Sequence, residues 1–238
     1  MTGTLYVIGV GPGDPELLTL KAVRILREVR CICVPKGREE GSSTALNIVK
    51  KIVDMAGKEI IEAHFPMRKT RGPAQICELD TKWNETVETV LGILNRGTDM
   101  AFITIGDPTI YSTFFYLYDR LLELNPSLIV EIVPGISSIT ASAARAGISL
   151  GLADERIAVL PATYVRDIGA VLEHFDTVVL MKVHKVFDRI LEVLEETGLT
   201  GKSVYISKAG MHDEEVVRDI SGLRGKELSY FSVLIIKK

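Results

Sequence analysis

Thr104-Ile105-Gly106-Asp107-Pro108-Thr109-Ile110-Tyr111-Ser112-Thr113 is the stretch from which the rest of the chain is read. Ahead of it, Asp99-Met100-Ala101-Phe102-Ile103 has the apolar, partly β-branched composition of a buried strand. Behind it, an aromatic helical run covers residues 114–122. A strand therefore empties into a Gly-Asp-Pro turn and then a helix. Gly106 has no Cβ to obstruct a ligand approaching the backbone, Pro108 stiffens the turn, and Asp107 offers an acceptor. Open α/β sheets bind their ligands at the carboxyl ends of strands, so this turn is either a plain connection or one wall of a site.

Toward the N-terminus the same grammar repeats. Residues 4–10 (Thr-Leu-Tyr-Val-Ile-Gly-Val) have the apolar density of a strand covered on both faces, and they end in Gly9-Val10-Gly11-Pro12-Gly13-Asp14-Pro15-Glu16. A helix capped by Thr19 follows, with Leu20, Val23 and Leu26 at helical spacing, and then a second strand over residues 31–35. This is a βαβ unit. Its first turn is not a dinucleotide fingerprint: Asp14 occupies the third glycine position, and the second strand ends Val34-Pro35-Lys36, without an acidic residue for a ribose.

Between these turns, residues 42–55 show an amphipathic helical pattern capped by Ser42 or Ser43, residues 59–63 a short strand, and residues 83–94 a helix. The loop over residues 64–73 is basic. Lys36, Arg38, Arg68, Lys69 and Arg71 are a solvated surface or, on the functional reading, a clamp for a substrate with several carboxylates, which arginine forks pair bidentately. Past the opening stretch, residues 127–133 form a strand feeding Pro134-Gly135-Ile136-Ser137-Ser138-Ile139, with Ser137 and Ser138 as helix caps. Strands at 156–160, 177–181, 203–207 and 231–237 alternate with helices at 166–173 and 185–196. The expected fold is α/β: two abutting domains, 1–116 and 117–238, with mainly parallel mixed sheets and a ligand cleft between them.

Composition sets the bounds. The chain has 238 residues, 47% of them hydrophobic, enough for a substantial core, and a net charge of -3 that disfavours nucleic acid as a partner. Three cysteines, Cys31, Cys33 and Cys77, form neither a disulfide framework nor a Cys-x-x-Cys pair and read as reduced core residues. No run of about 18 apolar residues occurs, so a soluble cytoplasmic protein is expected, with no membrane partner. His64, at a strand end beside the basic loop, is either a surface histidine or a substrate contact; His174, His184 and His212 lack metal-ligand spacing, and no metal site is expected.

Three motifs in register, the Gly-x-Gly-Pro-Gly-Asp turn, the strand ending Gly106-Asp107-Pro108-Thr109-Ile110-Tyr111, and Val133-Pro134-Gly135-Ile136-Ser137-Ser138, resemble the tetrapyrrole methylase family, the class III S-adenosylmethionine methyltransferases. The resemblance runs over essentially the whole chain. It implies two α/β domains, a homodimer, and S-adenosylmethionine in the interdomain cleft. Pro12, Ile105, Gly106, Asp107, Ile110 and Tyr111 would line the cofactor site from the first domain. Ser137, Ser138, Met181 and the Ala209-Gly210 turn would line it from the second, with a core methionine as the alternative for Met181.

Within the family, Gly11-Pro12-Gly13-Asp14, Phe65-Pro66-Met67 and Tyr111-Ser112-Thr113 look most like the members that methylate C20 of precorrin-2 or its cobalt complex, cobalt-factor II, in vitamin B12 synthesis. One departure matters. Uroporphyrinogen methylases carry an acidic residue shortly after the second strand, where this chain has Val34-Pro35-Lys36-Gly37. That counts against the uroporphyrinogen reaction and leaves no general base to assign, with Tyr111 and His64 as the only catalytic candidates. A ribosomal RNA ribose methylase, a diphthine synthase, and a non-catalytic binder of corrinoids or nucleotides remain as alternatives.

Overall fold

The computed structural model describes residues 2–36, 43–64 and 73–238, and their side chains apart from those of Lys36, His64 and residues 73–83. Two compact units result, Met1–Ile136 and Ser137–Lys238.

The first unit is β1 (Thr4–Gly9), α1 (Leu20–Glu28), β2 (Cys31–Lys36), α2 (Thr44–Val49), β3 (Glu59–His64), α3 (Pro73–Leu94), β4 (Met100–Thr104), α4 (Phe114–Leu124) and β5 (Ile129–Val133). The strands form one parallel sheet in the order β3-β2-β4-β1-β5. Period-two alternation sends side chains to both faces. Ile8, Val10, Ile32, Val34, Ala101 and Ile103 pack with α1 and α2 on one face; Leu5, Val7, Cys31, Cys33, Met100 and Phe102 pack with α3 and α4 on the other. Right-handed crossovers explain the division, because the chain steps one way along the sheet from β1 to β3 and the other way from β3 to β5.

Local chemistry starts the helices where expected. The Thr19 hydroxyl accepts from the Ala22 N–H at 3.2 Å, and Ser43 caps α2. The buried stripe of α1 is Ala22, Ile25 and Leu26, while Leu20, in the first helical position, is 90% exposed. Two helices have unexpected lengths. The first, α2, stops at Val49, and α3 begins at Pro73, whose fixed φ suits a first helical turn.

The second unit is α5 (Ser138–Ala146), β6 (Ile157–Pro161), α6 (Ile168–His174), β7 (Thr177–Met181), α7 (Phe187–Glu196), β8 (Ser203–Ser207), β9 (Glu215–Val217) and β10 (Ser232–Lys237). Its sheet order is β6-β7-β10-β8-β9; β6 and β7 are parallel, and the other pairings are antiparallel. "Mainly parallel" therefore describes the first sheet and not the second, because the last strand inserts between β7 and β8 without a crossover helix. Alanines 141, 143 and 146 let α5 lie close against Val204, Ile206, Val233 and Ile235, while α6 and α7 cover the opposite face.

The division of the chain also falls later than residues 116/117. The α4 residues Phe114, Leu117 and Leu121 belong to the same core cluster as Leu5 and Val7, and β5 pairs with β1 along its length. Hydrogen bonding and burial together keep both elements in the first unit. Among the described residues, no helix is long and apolar enough to cross a membrane.

Candidate active site

The first unit's site follows from its topology. Strands β1 and β4 are neighbours, yet the chain leaves β1 toward β2 and leaves β4 toward β5, so the two exits cross at the carboxyl edge of the sheet. They cross through glycine. Gly106 N–H donates to the Gly11 carbonyl at 2.8 Å, and Gly11 N–H to the Gly106 carbonyl at 3.3 Å. The exit of β5 joins them: a Cβ on Gly135 would lie 2.3 Å from the Gly106 carbonyl oxygen, and one on Gly9 would lie 2.5 Å from that same atom. Three backbones thus approach at a distance that no side chain permits. Gly106 itself has φ +73, and among the described residues a Cβ there would meet no atom within 4 Å, so its open side is space that a ligand can use.

Asp107 ties this crossing together. One carboxylate oxygen accepts from the Thr109 N–H at 2.8 Å and from the Thr109 hydroxyl; the other accepts from the Gly135 N–H at 2.9 Å. Three of its roughly four acceptor sites go to organising the turn. Beyond it, Ile110 and Tyr111 are 37% and 48% exposed, and Tyr111 takes a left-handed φ of +51, uncommon for a bulky residue. Pro12 is buried beside the Gly11 crossing, and the Asp14 carboxylate accepts from the Glu16 N–H at 2.9 Å to shape the turn after it.

The basic residues are only partly placed. Lys36 and His64 stand opposite one another in register at the carboxyl ends of β2 and β3, on the same edge as the glycine crossing. The Phe65-Pro66-Met67 motif, Arg38, Arg68, Lys69 and Arg71 lie outside the described residues.

In the second unit, the Ser137 hydroxyl accepts from the Ile139 N–H at 3.2 Å and Ser138 opens α5. Met181 and Ala209 pack in the same core cluster as Ile139, the residue that follows Ser137 and Ser138. Both β7 and β8 run antiparallel to β10, so their carboxyl ends flank its start. Lys182 and Lys208, with φ of +60 and +52, anchor there by N–H donation to the carbonyls of Ser232 (2.9 Å) and Phe231 (2.7 Å).

This edge carries groups that sequence reasoning did not single out. The Lys182 ammonium lies 5.7 Å from the centroid of the Tyr230 ring, which also meets the rings of His184 and Phe231 edge-on at 5.4 Å. Tyr230 and Phe231 are about two-fifths exposed, at 41% and 39%. His184 buries an Nδ1 that finds no hydrogen-bond partner among the described residues. A cation held over an aromatic shelf suits a flat ligand bearing carboxylates. The only sequence signal was position, a lysine at a strand's carboxyl end. Lys208 pairs with Asp213, and this hydrogen bond raises the lysine pKa and holds the aspartate below its usual range. Among the described residues, no group of three or more His, Cys, Asp or Glu is placed to hold a metal ion.

Comparison with known proteins places the chain in a family. The profile of the family described as Tetrapyrrole (Corrin/Porphyrin) Methylases matches residues 4–222. The chain belongs to the tetrapyrrole methylase family. Among tetrapyrrole methylase relatives, the cobalt-precorrin-2 C(20)-methyltransferase of Salmonella typhimurium is 34% identical over 242 residues, covering 100% of this chain and 98% of that protein. The precorrin-2 C(20)-methyltransferase of a Sinorhizobium species is 28% identical, covering 98% of this chain and 95% of that protein. The fold is shared with the uroporphyrin-III C-methyl transferase of Thermus thermophilus, solved in complex with S-adenyl homocysteine: TM-score 0.68, 19% identity, 99% of this chain and 98% of that one.

Proposed function

We propose that this chain transfers a methyl group from S-adenosylmethionine to C20 of precorrin-2 or of its cobalt complex, cobalt-factor II, in cobalamin synthesis. The observation that carries it is the whole-length likeness to the Salmonella C20-methyltransferase.

The residues fit the donor. Bare backbone at the glycine crossing, with open space over Gly106, provides the close approach that a folded nucleoside needs. Pro12, Ile105, Gly106, Ile110 and Tyr111 would contact it from the first unit, with Asp107 shaping the turn, and Ser137, Ser138, Met181, Ala209 and Gly210 from the second. S-adenosylmethionine supplies its methyl as the electrophilic carbon of a sulfonium. An electron-rich meso carbon of a reduced tetrapyrrole is already a nucleophile, so the protein's task is alignment and exclusion of water, effects that can contribute several kcal/mol. Lys36, Arg38, Arg68, Lys69 and Arg71 would hold substrate carboxylates, and Lys182 over Tyr230 offers a further cation within the second unit. The family resemblance also supports a homodimer, tested by light scattering on the eluted protein.

Incubation with methyl-labelled S-adenosylmethionine and, separately, precorrin-2 and cobalt-factor II tests the proposal. Label should appear in one of the two at C20. Cofactor binding without transfer to either tetrapyrrole would overturn it and favour a binder or a methylase of another acceptor.

A further inference from the structure

The turn after β8 is fixed by a carboxylate from its own far end. Gly210, with φ +77, directs its N–H into Glu214 Oε2 at 2.6 Å. Glu214 is held in turn by Arg145 Nε, at 2.9 Å from Oε1 and 3.0 Å from Oε2. Arg145 stands on the last turn of α5, the helix that begins at Ser138 behind its Ser137 cap. A second stitch lies one residue on, where Arg218 Nη2 donates to the Ala146 carbonyl at 2.7 Å.

We infer that Glu214, oriented by Arg145, is a positioning residue that sets the Ala209–Gly210 turn relative to the start of α5 for binding the methyl donor. The inference rests on reading that turn and Ser137–Ser138 as cofactor contacts. Its physical basis is the kind of bond involved. An exposed ion pair contributes little by itself, and Arg145 is half exposed. The Glu214 side chain is only 17% exposed, and its bond to Gly210 is a short, charge-assisted one to a main-chain donor in a left-handed turn. Without that acceptor, the Gly210 N–H is free to turn away, and the left-handed conformation loses its tether. Glu214 touches neither donor nor acceptor in this scheme. It acts through the turn, so its removal should weaken cofactor binding more than it weakens the fold.

The test is calorimetric titration of the purified full chain with S-adenosylhomocysteine, alongside thermal unfolding. Glu214→Ala should weaken binding by about tenfold or more, the scale of a lost charge-assisted hydrogen bond passed on through the turn it holds. Glu214→Gln keeps an amide oxygen for the Gly210 N–H and should recover most of the affinity. Arg224→Ala, which removes an ion pair with Glu195 at 2.6 Å elsewhere in the unit, should bind as wild type does. Wild-type affinity in a folded Glu214→Ala protein would overturn the inference while leaving the cofactor assignment standing. Absence of binding by the wild type would overturn the assignment itself. Should Glu214→Ala fail to fold, Arg145→Leu decides in its place: weakened binding supports the inference and unchanged binding refutes it.

Discussion

The Asp107 carboxylate accepts the Gly135 N–H across 2.9 Å and so fastens the exit of β4 to the exit of β5. Together with the Gly11–Gly106 bridge, this bond makes three loops, distant in sequence, into one backbone-lined edge. Replacing Asp107 by Ala should cost about 1.5–3 kcal/mol in urea unfolding, the scale of a lost charge-assisted bond, and should weaken S-adenosylhomocysteine binding as well. Asn at this position keeps one acceptor oxygen and turns an N–H₂ toward a main-chain donor, so it should recover only part of the loss. Full stability in Asp107→Ala would show that the three loops hold without it.

Crowding at the crossing gives a steric prediction. Gly135→Ala places a Cβ 2.3 Å from the Gly106 carbonyl oxygen, where only a backbone shift relieves it, and should cost at least about 2 kcal/mol. Gly57→Ala, with φ +73 and no described atom within 4 Å of its Cβ, should cost about 1 kcal/mol from left-handed strain. Equal unfolding midpoints for the two variants would contradict the close approach.

Much of this was legible in the chain. The Thr19 and Ser137 caps, the alternation that puts Cys31 and Cys33 on one face, and the strand feeding Gly106 follow from local rules, and local rules determine them. What escaped depends on residues far apart in sequence. Nothing near Gly9 or Gly135 announces that each must clear the Gly106 carbonyl. The pairing of β5 with β1, which moves the division to Ile136, and the insertion of β10 between β7 and β8 are likewise decisions of tertiary packing. Lys182 shows the limit at a single residue. A left-handed lysine has no composition signal, because the anchoring carbonyl belongs to Ser232.

Acid should destabilise the second unit. Glu155 is held below the ordinary carboxylate range by the hydrogen bond from Lys237 and then by that from the Leu152 N–H; Asp176 is lowered chiefly by the Arg156 N–H, and Asp213 by Lys208. A depressed folded pKa means that the unfolded chain binds more protons as acid is added, so this stability is present above the unfolded pKa and is lost as pH falls through the folded one. The urea midpoint should therefore hold between neutrality and about pH 5 and fall below about pH 4. Glu155→Gln should flatten part of that decline; an unchanged slope would mean that the Lys237 contact does not persist in solution.

The two cysteines whose side chains are described should be inert. Burial pushes the Cys33 thiol up to about 12 and also raises Cys31, beside the Glu59 carboxylate, so neither forms thiolate at neutral pH. Peptide mapping after iodoacetamide at pH 8 should find Cys31 and Cys33 unmodified in the native protein and alkylated in urea. Native labelling at either would place it outside the core.

The measurement that bears most directly on the glycine crossing as the methyl-donor site is titration of Gly106→Ala with S-adenosylhomocysteine. Among the described residues a Cβ at Gly106 meets no atom within 4 Å, so beyond the left-handed strain also imposed by Gly57→Ala, its effect falls on a ligand in that space. The variant should unfold near the Gly57→Ala midpoint and bind at least about tenfold more weakly than wild type, as expected for a methyl forced into a close contact. Wild-type affinity in a folded Gly106→Ala protein would place the donor somewhere else.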